Sequence, residues 1–191
     1  MSEGRGVIFV RHAMPEVTRG LARSLWPLSE AAREDCVLLA HALPAGLAAS
    51  VLTSEEKKAR DTATIIGLRR GLKVEVDPRL GEVDRPEVWD EDYRAVAERY
   101  LATGSEPGWE PQESAARRMG EAVAERLERG GEGDVVVVSH GLAIALYLAA
   151  MVEVDVVSFW RQLAFPDAWR WEPGSQRLER VFRTGLPADE V

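Results

Sequence analysis

Two histidines in this chain stand where chemistry could be done. Val7 to Val10 is an apolar run that ends on Arg11-His12, and Val135 to Val138 is a second such run that ends on Ser139-His140-Gly141. A neutral imidazole can attack an electrophile or move a proton, and a guanidinium beside it offers a planar fork that matches phosphoryl oxygens. Gly141 opens an apolar stretch of helical length, so backbone N–H groups with partial positive charge should face the same place. His12, His140, Arg11 and a helix start together suit an oxyanion. A histidine at a strand end is often only a hydrogen-bonded structural residue. Two at equivalent strand ends, one preceded by arginine, argue for a shared site. A metal triad of His12, His140 and Glu82 is the other chemical option; Arg11 would repel the dication, so no metal is expected. His41 falls inside a helical stretch, away from any strand end, and reads as a surface or packing residue. Neither GxGxxG nor GxxxxGK[ST] occurs, which removes the nucleotide-loop readings.

The elements that must position these residues follow from the hydrophobic pattern. Val7–Val10 and Val135–Val138 read as strands buried on both faces, and Ala48–Thr53 as a weaker one. Ser29 is a candidate N-cap, with Ala32, Cys36, Leu39 and Leu43 on one apolar stripe. Cys36 is therefore expected in the core. Ser54-Glu55-Glu56 reads as an N-cap followed by acidic first-turn residues, opening a helix that runs to about Ile66. Val74 and Val76 give a short strand, and the following DPRLGE loop carries Glu82. Residues 84–112, rich in Trp, Pro, Gly and acidic residues and including Trp89 and Trp109, read as an excursion from the main fold with one helical piece at Asp92–Leu101. Ser114–Leu127 and Leu142–Val152 read as helices, and the two arms around Pro173-Gly174-Ser175 as a hairpin. Alternating strands and helices predict an α/β fold with a mostly parallel sheet. In such a sheet ligands sit at the carboxyl ends of the strands, where His12 and His140 fall.

Composition narrows the function classes. The chain has 191 residues, 46% of them apolar, enough for a substantial core, and is expected to form one domain over 1–191. Its formal charge of −8 argues against nucleic-acid or anionic-membrane partners. A single cysteine excludes a disulfide framework and fits a reducing compartment. The polar MSEGRG start predicts no signal peptide, and no run approaches the roughly 20 apolar residues that span a bilayer. The expectation is a cytoplasmic protein.

Taken in order, RHA at Arg11-His12-Ala13, SEEKKARDTA, DPRLGE and VVVVSHG resemble the histidine phosphatase superfamily, the phosphoglycerate-mutase-like proteins. The resemblance spans about residues 7 to 145. It implies a three-layer α/β/α sandwich and a metal-independent phosphatase without cofactor, acting on a small phosphorylated metabolite. His12 would attack the phosphomonoester and become phosphorylated. Arg11 would bind the phosphoryl group, His140 would hydrogen-bond it, and Glu82 would protonate the leaving oxygen and then activate water. Nearby arginine charge should keep His12 neutral.

The sequence departs from the family pattern at several points. Counting from Ser54, the position of the usual phosphate-binding arginine is Lys58, with Ala59 and Thr62 in register. Arg60 lies about 200° around the helix from the expected direction. Ala13 replaces the usual glycine, Thr18 stands where asparagine is common, and the usual glycine-tryptophan-glutamate-glycine context is absent, which leaves Asp84 as a reserve acid. These departures admit a non-catalytic or weakly active phospho-ligand binder. A phosphatase acting on phosphohistidine proteins is the third reading, and a mutase is disfavoured by the short chain.

Overall fold

The computed structural model describes residues 5–87 and 92–184. A six-stranded sheet forms its centre, with strands β1 (Val7–Arg11), β2 (Leu47–Thr53), β3 (Lys73–Val76), β4 (Asp134–Ser139), β5 (Asp167–Glu172) and β6 (Arg177–Arg183). Their spatial order is β3-β2-β4-β1-β5-β6. The first four are parallel to one another, while β5 runs antiparallel to β1 and pairs with β6 in the expected hairpin. The sheet is mostly parallel, as the alternation of elements predicts.

Helices α1 (Glu30–Ala42) and α2 (Lys57–Arg70) cover one face; α3 (Tyr93–Thr103), α4 (Gln112–Glu128), α5 (Gly141–Met151) and α6 (Val156–Gln162) belong to the other side. The strand period of two divides the core between these layers. Ile8, Val10, Val136 and Val138 pack with Leu39, Ala63 and Ile66, whereas Phe9, Val135 and Val137 pack with Met119, Leu142 and Leu148. β1 and β4 are buried on both faces, which is why they read as unbroken apolar runs. Ser29 caps α1 by accepting the Ala32 amide at 3.2 Å, and Cys36 is fully buried on the inner face of that helix.

Three local features differ from the sequence reading. Helix α2 starts at Lys57 with Glu56 as N-cap, and Ser54 lies before it. The reason is that the Ser54 amide still donates to the Val138 carbonyl at 3.1 Å, keeping the residue in the sheet ladder. Lys58 consequently sits in the first helical turn instead of the second. The other two features, α6 and the 3-10 turns at Arg23–Leu25 and Pro78–Leu80, are too short to show an apolar period. Within the excursion, Asp92 caps α3 through the Arg94 and Ala95 amides. Trp89 lies outside the described residues, and Trp109 stacks on Tyr93 with ring centroids 6.4 Å apart. No helix among the described residues is long and apolar enough to cross a membrane.

Candidate active site

Neighbouring strands β1, β4 and β2 deliver their last residues to one crevice. Arg11 pairs with Ser139 in register, the His12 amide donates to the Ser139 carbonyl at 3.0 Å, and Ser54 is tied to β4 as described. His12 and His140 thus lie side by side, ring centroids 5.1 Å apart and planes at 63°.

The hydrogen bonds of His12 select its reactive atom. Nδ1 lies 2.7 Å from the Ala13 carbonyl oxygen, which can only accept, so Nδ1 carries the proton and Nε2 keeps its lone pair. Burial, reinforced by His140 and Lys58, holds this imidazole well below the usual histidine range and therefore neutral. The loop that carries it is anchored by Thr62, whose hydroxyl accepts the Ala13 amide at 3.1 Å and donates to the Lys58 carbonyl at 2.8 Å.

His140 is oriented from the opposite side. Its Nε2 is 2.7 Å from Ser54 Oγ and 3.2 Å from Glu56 Oε1, while Nδ1 is buried without a protein partner. Ser54 Oγ also accepts the Glu56 amide at 3.1 Å. Burial, then the Lys58 charge, pushes His140 well below its ordinary value. Nε2 is engaged by Ser54 and Glu56, so Nδ1 is the ring nitrogen left for an incoming oxygen.

Arg11 is buried, with Nη1 donating to the Leu163 carbonyl at 2.6 Å and its guanidinium carbon 3.4 Å from the centroid of the Phe165 ring. Nε has no protein partner. Burial pulls this guanidinium down to about 10, against the opposing charges of Glu82 and Asp167. Gly141 makes that packing feasible: a Cβ there would lie 3.1 Å from the Arg11 guanidinium carbon.

Lys58 is buried and Arg60 is exposed, as the helical count predicts. The Lys58 ammonium donates to the Arg23 carbonyl at 3.1 Å and forms a close ion pair with Glu56 Oε2. Glu82 extends from the loop after β3 to the start of α5, where its carboxylate accepts the Ala143 amide at 3.0 Å and the Leu142 amide at 3.3 Å. Burial raises its pKa, with Glu56 adding to the effect. Arg118 on α4 holds this loop by donating to the carbonyls of Arg79, Gly81 and Glu82 at 2.6, 2.8 and 3.0 Å.

The structure therefore brings together Arg11, His12, Lys58, Glu82, His140 and Gly141. Asp84 is exposed, its backbone tied to Glu110 by bonds of 2.8 and 3.2 Å, and Thr18 is exposed on the loop after β1. Sequence reasoning missed Glu56, read only as a first-turn acid, and it missed Arg118, which carries no motif. Among the described residues no cluster of three or more His, Cys, Asp and Glu side chains is placed to hold a metal ion.

The arrangement can hold an oxyanion between cations and imidazoles, attack it with His12 Nε2 and protonate a leaving oxygen from Glu82. The profile of the histidine phosphatase superfamily (branch 1) matches residues 7–173. Over 176 residues, covering 78% of this chain and 77% of the relative, the sequence is 31% identical to a glucosyl-3-phosphoglycerate phosphatase of Mycobacterium tuberculosis. A solved mycobacterial glucosyl-3-phosphoglycerate phosphatase in complex with VO3 superposes with a TM-score of 0.72 at 25% identity, covering 95% of this chain and 100% of that one. YhfR of Bacillus stearothermophilus shares the fold, with a TM-score of 0.74 at 19% identity over 95% of this chain and 98% of that one. The chain belongs to the histidine phosphatase superfamily and is a phosphatase, a hydrolase acting on phosphomonoesters.

Proposed function

We propose that the protein hydrolyses the phosphomonoester of a small metabolite through a phosphohistidine on His12. The observation that carries this assignment is the His12 Nδ1 bond to the Ala13 carbonyl, which leaves a neutral Nε2 beside Arg11 and His140. In the first step the Nε2 lone pair forms the N–P bond as the ester P–O bond breaks. The Glu82 carboxyl gives its proton to the departing oxygen. In the second step Glu82, now a carboxylate, takes a proton from water as that water attacks phosphorus and the N–P bond breaks, returning His12 and releasing phosphate. Arg11 and Lys58 carry the negative charge that gathers on the equatorial oxygens, with the His140 imidazole beside them. The Tyr93–Trp109 stack, with Arg85 4.2 Å over the Tyr93 ring, supports a compact substrate over a protein surface. The two mycobacterial relatives named above act, by their names, on glucosyl-3-phosphoglycerate, and a phosphorylated small molecule is the class proposed for this chain.

Quenching the wild-type protein in base during turnover of p-nitrophenyl phosphate should trap an acid-labile phosphate on His12. His12→Ala should lose both the label and turnover, by on the order of 10⁴-fold or more. Near-normal turnover in that variant would remove the phosphohistidine route. Anion binding with neither label nor turnover would mean that the engagement of Lys58 with Glu56 has cost the site its chemistry.

A further inference from the structure

A carboxylate inside an anion-binding crevice is chemically unexpected, and Glu56 is one. Its Oε2 is paired with Lys58, and its Oε1 accepts the Glu82 amide at 3.0 Å and lies 3.2 Å from His140 Nε2. One side chain thus touches two of the groups assigned to phosphoryl transfer and the backbone of a third residue, Glu82. Its position is fixed from below as well, because its own amide donates to Ser54 Oγ at 3.1 Å.

We propose that Glu56 is a counter-charge built into the phosphate site, which offsets the Lys58 ammonium and weakens the hold on a phosphoryl anion so that product phosphate leaves. The proposal rests on the phosphatase reading given above. Lys58 already directs N–H groups to Glu56 and to the Arg23 carbonyl, so an arriving phosphoryl oxygen meets an ammonium whose charge is largely offset. Glu56 touches both Lys58 and His140, so an oxygen held by those two residues also feels its charge; like charges about 4 Å apart at an effective dielectric constant near ~20 would change binding by roughly a thousandfold before relaxation and screening. Burial opposes ionisation of Glu56, but Lys58 outweighs it through charge and hydrogen bonding, so the group stays a carboxylate at neutral pH. A device that only oriented Lys58 would strengthen phosphate binding. A counter-charge weakens it, so the two roles predict opposite signs.

The deciding measurement is calorimetric titration with inorganic phosphate and with vanadate of the wild type, Glu56→Gln, Glu56→Leu and the control Glu55→Gln. Glu55 is exposed one position away and removes the same formal charge from the surface. Both Glu56 variants should bind phosphate about tenfold or more tightly, and phosphate should become a correspondingly stronger inhibitor of p-nitrophenyl phosphate turnover, while Glu55→Gln matches the wild type. Unchanged or weaker binding in the Glu56 variants overturns the proposal, as does equal tightening in Glu55→Gln. Glu56→Gln keeps an acceptor for the Glu82 amide and decides the matter if Glu56→Leu does not fold. Base-stable labelling of wild-type His12 in the same preparation separates the two claims. A labelled wild type whose Glu56 variants do not tighten overturns the counter-charge alone, whereas an unlabelled wild type that binds no phosphate overturns the phosphatase reading and the counter-charge with it.

Discussion

Arg11 and Arg170 sit on adjacent strands of one sheet, at opposite edges, and their surroundings are opposite too. At the amino edge Arg170 donates from Nε to Asp134 Oδ2 at 2.6 Å, and the other carboxylate oxygen accepts the Gly6 amide at 2.7 Å. The hydrogen bond to Asp134 raises the pKa of Arg170. At the carboxyl edge Arg11 is buried, is bonded to a carbonyl and stacked on a ring, and is lowered to about 10 by burial. Its Nε faces no protein partner. An arginine whose charge is answered by a carboxylate holds a fold together. An arginine buried with unused donors is kept ready for an anion that arrives later.

The largest effect that sharpens this contrast concerns the acid at the carboxyl edge. Glu82→Gln should slow turnover of a phosphate ester with a poor leaving group by ~10²–10⁴-fold, and Asp84→Asn should do little. Esters whose leaving groups have low pKa need less protonation and should lose less. Because the acid must be protonated and its folded pKa is raised, wild-type kcat/KM should fall as pH rises through that value, and the variant should lack this alkaline limb. Equal losses for good and poor leaving groups would take Glu82 out of the acid role.

A smaller effect separates two cations on α2. Lys58→Ala should weaken vanadate inhibition by about tenfold or more, since a charge-assisted contact is lost inside the crevice, while Arg60→Ala should leave it unchanged. Lys58→Arg should retain binding. The reverse pattern, with Arg60 essential, would mean that the direction of Lys58 seen here is not the one used.

The smallest effect on chemistry belongs to the amino edge. Arg170→Met should lower the unfolding free energy by roughly 1–3 kcal/mol through its lost hydrogen bonds to Asp134, with kcat/KM unchanged. A loss of turnover at unchanged stability would break the division between the two edges.

Much of the carboxyl edge was legible because strand-end position depends on local pattern. Four apolar residues before Arg11 and four before Ser139 were enough to place both histidines, and the 3.6-residue period separated Lys58 from Arg60. The start of α2 was misread because Ser54 is also a good N-cap by type. What decides its role is a backbone bond to Val138, far along the chain. Glu56 and Arg118 were illegible for the same reason. The Glu56 contacts reach Glu82 and His140, and Arg118 secures a loop that lies more than thirty residues earlier, |i−j| = 36 for Glu82. Charged residues on helices are usually solvated, and only the closed sheet shows which ones are not.

The parallel pairing of β1 with β4 has a kinetic consequence. Residues 12 and 140 lie just past the end of a ladder whose register joins Val7 to Val135 and Arg11 to Ser139, so the crevice exists only after a very long loop has closed. Such non-local pairing is slow to form. Helical signal, carried by segments such as α1 and α4 that need no distant partner to begin, should therefore return early in refolding, and catalytic competence should return last, with the zipping of the two central strands.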